Sequence, residues 1–576
     1  MNKHAIMHQP LSNYAFGLDE THVVFRLKAA KNDLKEVILC YGDTAFRGNP
    51  VEMEYVKMVL IHQDSLFDYY EVIIETSISR IVYYFELYDG KTRSYFYSQF
   101  HYDHVSDQRN DLFKLPFNRK EDWIEIPKWL NDAVIYNIFP DSFATKKDLI
   151  TKTSKTMTIN GNIVKSKLGG TINGIRENLD YIIDLGCNTI YMNPIFTAGE
   201  YHKYDLIDYY SIDPTFGTND DFKRLVDEAH DKGLKVIIDG VFNHYGWYFH
   251  AFDDVVKHQE KSRYTDWFYR LDFPVYRPNT FEEIPPYACF GYERLMPKLN
   301  TSNEEVIQYF MDVCSYWMKH YNIDGWRLDV ADEVDASFWR RFKETAKAIN
   351  PEIAIIGEVW QSAEYYLDGT MFDSVMNYDL LKHSKAFFAK NELDADQFND
   401  RVVHMLTRYK TPFNYAQMNL LDSHDVPRFL SHCDEDINRY FLALIFQFTF
   451  IGAPMIFYGN EQGLTGIKEE DYRKGMVFNR DGLIRDFFKH LIELRKNHPV
   501  LTKGSFKTLH AGKGDGLYIY ERYDEESSII TILNRSDSLK VINKDYFNDE
   551  WLMHHNIENN FFIGAMGYLV IKKTKH

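Results

Sequence analysis

Between residue 133 and about residue 460 the chain alternates short apolar runs with stretches of helical period. The runs are AVIYNIFPD, NTIYMNPIF, LKVIIDGVFNH, IDGWRLDVADE, AIIGEVW, FDSVMNY, QMNLLDSHD and PMIFYGNE. Between the second and third lies GTNDDFKRLVDEAHDKG, where Phe222, Leu225, Val226 and Ala229 recur at i, i+3, i+4 and i+7 and Gly233 supplies the stop. Eight continuous apolar strands, mostly linked by helices, predict an α/β fold: a closed parallel (β/α)8 TIM barrel. One interval breaks the rhythm. Almost 60 residues between DGVFNH and the helix beginning near Asn303 lack clear periodicity and are rich in Tyr, Phe and Pro, which predicts an inserted subdomain at about 245–300.

The flanks read differently. THVVFRLKAA, EVILCYGD, YEVIIETS and RIVYYFELYDG are short β-branched and aromatic runs separated by polar turns, the pattern of an N-terminal β-sandwich over residues 1–122. After about residue 497 the short runs GLYIYERY, SIITILN and MGYLVIKK predict a C-terminal β-sandwich domain, leaving 123–496 for the barrel. The stretch YFLALIFQFTFIGAPMIFYG approaches membrane-spanning length. Gln447 and the Gly-Ala-Pro break make it a buried helix running into a buried strand.

Composition narrows the partners. A net charge of -18 argues against nucleic acid and against an anionic membrane surface, both of which recruit excess Lys and Arg. The N-terminal MNKHAIMHQPLSNYAF has no apolar core of a secretory signal, and the five cysteines are scattered without a CxxC pair. Reduced thiols and a cytoplasmic location are the expectation.

The fourth run, IDGWRLDVADEV, places Arg327 and Asp329 two residues apart, on one face of a strand. Two charges withdrawn from water cost several kcal/mol each unless paired. Either they neutralise one another as a structural pair, or they hold a carboxylate ready for chemistry. Three other runs also end in or near an acid: Asp239, Glu358 and Asp425, with His244 and His424 close to two of them. In such barrels the site lies at the C-terminal ends of the strands. Converging carboxylates suit metal binding or glycoside hydrolysis. Compact metal motifs such as HExxH are absent, whereas hydrolysis needs one carboxylate nucleophile and one protonated acid.

These motifs resemble those of the α-amylase family, glycoside hydrolase family 13. DGVFNH, GWRLDVADE, GEVW and LLDSHD are similar to its first four motifs, in order. MPKLN at 296–300 and the N-terminal YAFGLDETHVVFRLKAAKNDLKEVILCYGD resemble the neopullulanase, cyclomaltodextrinase and maltogenic amylase subgroup. The resemblance implies that Asp329 is the nucleophile, Glu358 the general acid and base, and Asp425 the residue that grips sugar hydroxyls and distorts the ring. It implies that Arg327 holds Asp329 ionised, that His244 and His424 hydrogen-bond the sugar, and that Tyr204 stacks on it. Glu333 and Trp360 would line the leaving-group side, Arg473 would reach a more distant sugar, and Asp239 and Asn243 would support the site.

The chain departs from the subgroup in places. The loop FATKKDLITKTSKTMTINGN is rich in Lys and Thr where relatives carry an Asn/Asp-rich calcium loop, and Thr171 stands where Asp is common. Calcium needs six to eight oxygens, so this site is expected to be absent, with no metal and no cofactor. Asp332 replaces the usual Asn and Asn460 the usual Asp. The implied activity is a retaining α-glucan hydrolase cutting α-1,4, and potentially α-1,6, bonds in cyclodextrins, pullulan and short maltodextrins, with some transglycosylation. The alternatives are a glucosyltransferase or isomerase on the same scaffold, or a non-catalytic glycan-binding protein. The resemblance also implies a homodimer in which one N-terminal module walls the partner's cleft.

Overall fold

In a computed structural model, which describes residues 1–159, 161–559 and 561–573, the chain packs as two units. Residue 160, in the loop read as lacking calcium ligands, and residues 560 and 574–576 of the C-terminal domain lie outside the described residues.

The first unit comprises residues 1–125, 391–415 and 503–576. Its N-terminal part is two antiparallel sheets. His22–Ala30 pairs Phe67–Glu75 in one, and Glu36–Asp43 pairs Ile81–Tyr88 in the other. The alternation seen in the sequence puts Val23, Phe25 and Leu27 of one sheet with Val37, Leu39, Tyr83 and Phe85 of the other in one apolar core. The C-terminal residues form a six-stranded antiparallel sheet around Leu517–Tyr523, Ser528–Asn534 and Phe562–Lys572. Its core holds Ile519, Ile530, Ile532, Leu569 and Ile571.

The second unit, residues 126–390 and 416–502, contains the barrel. Eight parallel strands close on themselves: β1 (Ile135–Ile138), β2 (Thr189–Met192), β3 (Lys235–Gly240), β4 (Gly325–Leu328), β5 (Ala354–Gly357), β6 (Ser374–Asn377), β7 (Met418–Asn419) and β8 (Ala453–Phe457). Each lies in one of the eight apolar runs. Inward-facing Ile135, Tyr191, Ile237, Ala354, Ile356, Met376, Met418 and Met455 fill the interior with layered side chains. The helix expected after GTN spans Asn219–Asp231. Thr218 and Asp221 form its capping box, and Gly233, at φ +79°, takes the left-handed turn that ends it. The long apolar stretch resolves into helix Ile437–Thr449 followed by β8. Among the described residues no helix is long and apolar enough to cross a membrane.

Two loops carry more structure than their sequence suggests. The interval 245–300 contains helix His250–His258, whose few apolar positions, Ala251, Phe252 and Val255, are too short a series to stand out as a period. Isolated bridges His244 to Lys298 and Phe268 to Leu299 tie its two ends together. The Lys- and Thr-rich segment after β1 forms a hairpin of Lys155–Ile159 and Asn162–Ser166.

Candidate active site

The four strand-end acids meet because β3, β4, β5 and β7 deliver them to one rim. In the β3–β4 register Asp239 lies opposite Arg327, so closing the barrel buries the two together. Arg327 and Asp239 have no solvent exposure. The guanidinium reaches Asp239 at 2.9 Å, Asp329 at 2.8 Å and Glu358 at 2.9 Å, and Asp425 stands 4.0 Å away. Tyr191 and Tyr204 donate to Asp239 at 2.7 and 3.2 Å. Asp239 thus completes the support of Arg327 from below.

Arg327, expected to pair with Asp329, thus contacts three carboxylates. Burial pushes the Asp329 carboxyl well above the usual carboxylate range. Arg327 pulls it down, but the charges of Glu358, Asp239 and Asp425 push up again. Burial likewise raises Asp239 against the pull of Arg327. One cation cannot neutralise this many acids, so burial and mutual repulsion raise Asp239 and Asp329 together. Asp425 differs. Burial would raise it, but His424 at 2.9 Å, Arg327 and Arg473 outweigh burial and hold it below the ordinary range.

The backbone contributes as well. Val330, directly after Asp329, adopts φ +45° and ψ +48°, a conformation disfavoured for a β-branched residue. The strain aims its amide at Glu358 Oε2, 2.9 Å away. Glu358 Oε1 accepts from Trp360 Nε1 at 3.0 Å and from the Tyr378 hydroxyl at 3.2 Å. Gly357 precedes Glu358 because a Cβ there would come within 2.6 Å of the Phe372 ring.

A cleft of about 560 Å³ opens above these groups. Its lining includes Tyr204, His244, Asp329, Asp332, Glu333, Glu358, Trp360, Asp425 and Arg473. Every residue assigned to chemistry or sugar contact by the sequence is on this surface except Arg327 and His424, which lie buried just below it. Tyr204 packs its ring parallel to that of His424, with centroids 5.6 Å apart. Burial lowers His244 to about 3, so it is a neutral imidazole. Its Nδ1 accepts from Asn243, while Nε2 is buried and makes no well-formed hydrogen bond, with the Tyr204 backbone beside the ring. Arg473 lies over the Phe139 ring, donates to the His424 carbonyl at 2.7 Å and approaches Asp425 at 3.4 Å.

On the opposite wall Lys298, from MPKLN, bonds to Asn243 Oδ1 and reaches Glu333 Oε2 at 3.1 Å. Of the two unusual residues, Asp332 faces the cleft. Asn460 is buried elsewhere, donating to Asp422 at 2.6 Å and accepting from Arg428 at 2.9 Å. The sequence reading missed Tyr191, Lys298, Tyr378 and Phe290, a cleft residue whose ring stacks on that of His244 with centroids 5.2 Å apart. Tyr378 had a signal, since it ends the FDSVMNY run at the barrel rim. Among the described residues no group of three or more His, Cys, Asp or Glu is placed to hold a metal ion.

The chain is similar to known proteins over nearly its whole length. The family described as "Alpha amylase, catalytic domain" matches residues 137–485, and "Alpha amylase, N-terminal ig-like domain" matches residues 1–119. A cyclomaltodextrinase of Geobacillus thermopakistaniensis is 38% identical over 548 residues, covering 94% of this chain and 92% of that protein. A maltogenic alpha-amylase of Bacillus acidopullulyticus is 37% identical over 576 residues, covering 96% and 97%. A solved cyclomaltodextrinase structure superposes with a TM-score of 0.88 at 34% identity, covering 100% of this chain and 98% of its own.

Proposed function

This chain belongs to the α-amylase family of glycoside hydrolases, and on that premise we propose that it opens cyclodextrins and cuts short maltodextrins and pullulan with retention of configuration. The observation that carries the reading is Arg327 held between Asp329 and Glu358 at 2.8 and 2.9 Å beneath the cleft. A retaining mechanism needs one ionised and one protonated carboxyl. With a single cation touching both, a proton on Glu358 removes the like charge beside Asp329 and leaves Arg327 to favour its ionised form. Asp329 then attacks C1 as Glu358 protonates the leaving oxygen, and Glu358 later deprotonates the incoming water. Asp425, kept anionic, binds ring hydroxyls, and His244 lines the cleft beside the same sugar.

The reading carries no cofactor, because the loop after β1 offers Lys and Thr where calcium would need carboxylates. We place the protein in the cytoplasm, with the barrel domain at 123–496 between domains 1–122 and 497–576. We also propose a homodimer, on family resemblance, and sedimentation velocity at micromolar concentration showing only monomer would overturn that part. The test of function is product analysis on γ-cyclodextrin, pullulan and soluble starch with EDTA present. Rapid cyclodextrin opening, slow starch attack and a Glu358→Gln variant slower by at least about 10³-fold are expected. Activity on none of the three would overturn the hydrolase reading.

A further inference from the structure

Glu358 has three hydrogen-bonding neighbours and an ion-pair contact to Arg327, and their chemistry is unequal. Oε2 faces the Val330 amide and the Arg327 guanidinium, both at 2.9 Å. Oε1 faces the Trp360 indole N–H at 3.0 Å and the Tyr378 hydroxyl at 3.2 Å. An amide, a guanidinium and an indole can only donate, whereas a phenol can donate or accept. Three donors and a cation suit a carboxylate. A protonated Glu358 must give its O–H to an acceptor, and Tyr378 alone among these neighbours can take it.

Tyr378 is also well placed to keep that role. Its side chain is 5% exposed. The Trp360 ring covers it in a parallel stack, with centroids 4.1 Å apart and planes 14° apart. The stack shields the hydroxyl from bulk water without occupying its hydrogen-bonding capacity.

We propose that Tyr378 is the positioning residue for the acid's proton: it accepts the hydrogen bond of protonated Glu358 at Oε1 and reverses to donate once the proton has gone. The inference rests on the assignment of Glu358 as acid and base. In the first step the C1–O bond breaks, its electron pair leaves with the glycosidic oxygen, and that oxygen takes the Glu358 proton while Asp329 bonds to C1. In the second, water attacks C1, Asp329 departs as a carboxylate, and the water's proton returns to Glu358. The phenol reverses twice per turnover and is never ionised.

The proposal predicts opposite effects from two neighbouring substitutions. Tyr378→Phe removes the only acceptor these neighbours offer the acid form but only one of three donors to the carboxylate. Glu358 should then lose its proton more easily, and the basic limb of the kcat/KM pH profile should fall by ~0.5–1 unit. Trp360→Phe removes a group that serves only the carboxylate, so the same limb should rise. The other ionisable groups facing this corner are Arg327 and Asp329 from β4 and the turn after it, Asp332 beyond them, Tyr191 from β2 and Asp425 after β7. They are common to both variants and cannot reverse the sign between them.

The experiment is the pH profile of full-length wild type, Tyr378→Phe and Trp360→Phe on γ-cyclodextrin, with Glu358→Gln as control. Opposite displacements of the basic limb are expected. Displacement in the same direction, or an unmoved limb in Tyr378→Phe while Glu358→Gln is inactive, overturns the role of Tyr378. An active Glu358→Gln overturns the assignment of the acid itself, and the two failures are distinguishable. Infrared difference spectra against Glu358→Gln give a readout that needs no turnover. The carboxylic C=O band should move to higher frequency in Tyr378→Phe as its O–H loses its acceptor, and an unmoved band overturns the proposal.

Discussion

On one side of the cleft Arg327, Asp239, Tyr191 and Tyr204 are buried and joined by short hydrogen bonds to groups on neighbouring barrel strands and loops. On the other, Glu333 stands almost half in water, and Lys298 bridges loops rather than strands. The buried side derives its strength from charges with no alternative partner. A lost contact there leaves an uncompensated charge in a low-dielectric interior. On the open side water can replace any lost partner. The chemistry therefore sits where the barrel fixes geometry, and the leaving-group side sits where a substitution alters affinity without dismantling the site.

The sharpest way to break this contrast is Arg327→Met, which leaves Asp239, Asp329 and Glu358 without their common cation. Loss of one partner from a buried charged set costs about 3–5 kcal/mol. The variant should melt several degrees lower and lose at least about 10³-fold in kcat/KM. Calorimetry and initial rates check this. A variant as stable and as active as wild type would show that the buried wall owes its strength to packing rather than to charge.

A smaller effect sharpens the same point at Asp205, buried behind Tyr204. Its neighbour Lys203 is committed to Asp213 at 2.9 Å, and burial pushes Asp205 up to about 7. The native state thus binds a proton more tightly than the unfolded chain, whose value is near 3.8. The stability this adds is fully present below pH about 4 and is lost as pH rises through about 7. Asp205→Asn should lack that slope. Its melting temperature relative to wild type should be higher at pH 8 than at pH 5, and an equal difference at both would contradict a burial-raised acid at this position.

What the sequence could reveal follows the same division. Barrel strands announce themselves because burial on both faces demands continuous apolar runs, and an acid ending such a run stands out. Asp239, Arg327, Asp329, Glu358 and Asp425 were legible for that reason. Tyr191 was not, because an aromatic within a strand reads as core until closure brings it beside an acid distant in sequence, and Tyr378, though it ends the FDSVMNY run, carries nothing that ties it to Glu358. Tyr378 is 20 residues from Glu358, and Tyr191 is 48 from Asp239. The hairpin at 155–166 and the helix at 250–258 were hidden because short loop elements carry too few apolar positions to show a period. The shared use of Arg327 was hidden as well, since two-residue spacing identifies Asp329 as a neighbour but says nothing of Asp239 and Glu358 across the strands.

The mildest perturbation belongs to the open wall. Lys298 bonds Asn243 Oδ1 and the Glu333 carbonyl and carboxylate, the last two at 3.0 and 3.1 Å. Lys298→Met would remove all three contacts at once, yet Glu333 is 45% exposed and water can solvate it. The expected cost in stability is no more than about 1 kcal/mol. The effect should fall on binding instead. A freed Glu333 no longer presents a fixed acceptor to the leaving-group sugar, and Asn243, unclamped, holds His244 less firmly. KM for maltodextrins should rise by about 3- to 10-fold, with kcat changing less than about threefold. The pH profile should be unaltered, since Lys298 does not touch Glu358 or Asp329. A fall in kcat comparable to that of Arg327→Met would mean that the open wall shares in the chemistry, and the contrast between the two sides of the cleft would no longer hold.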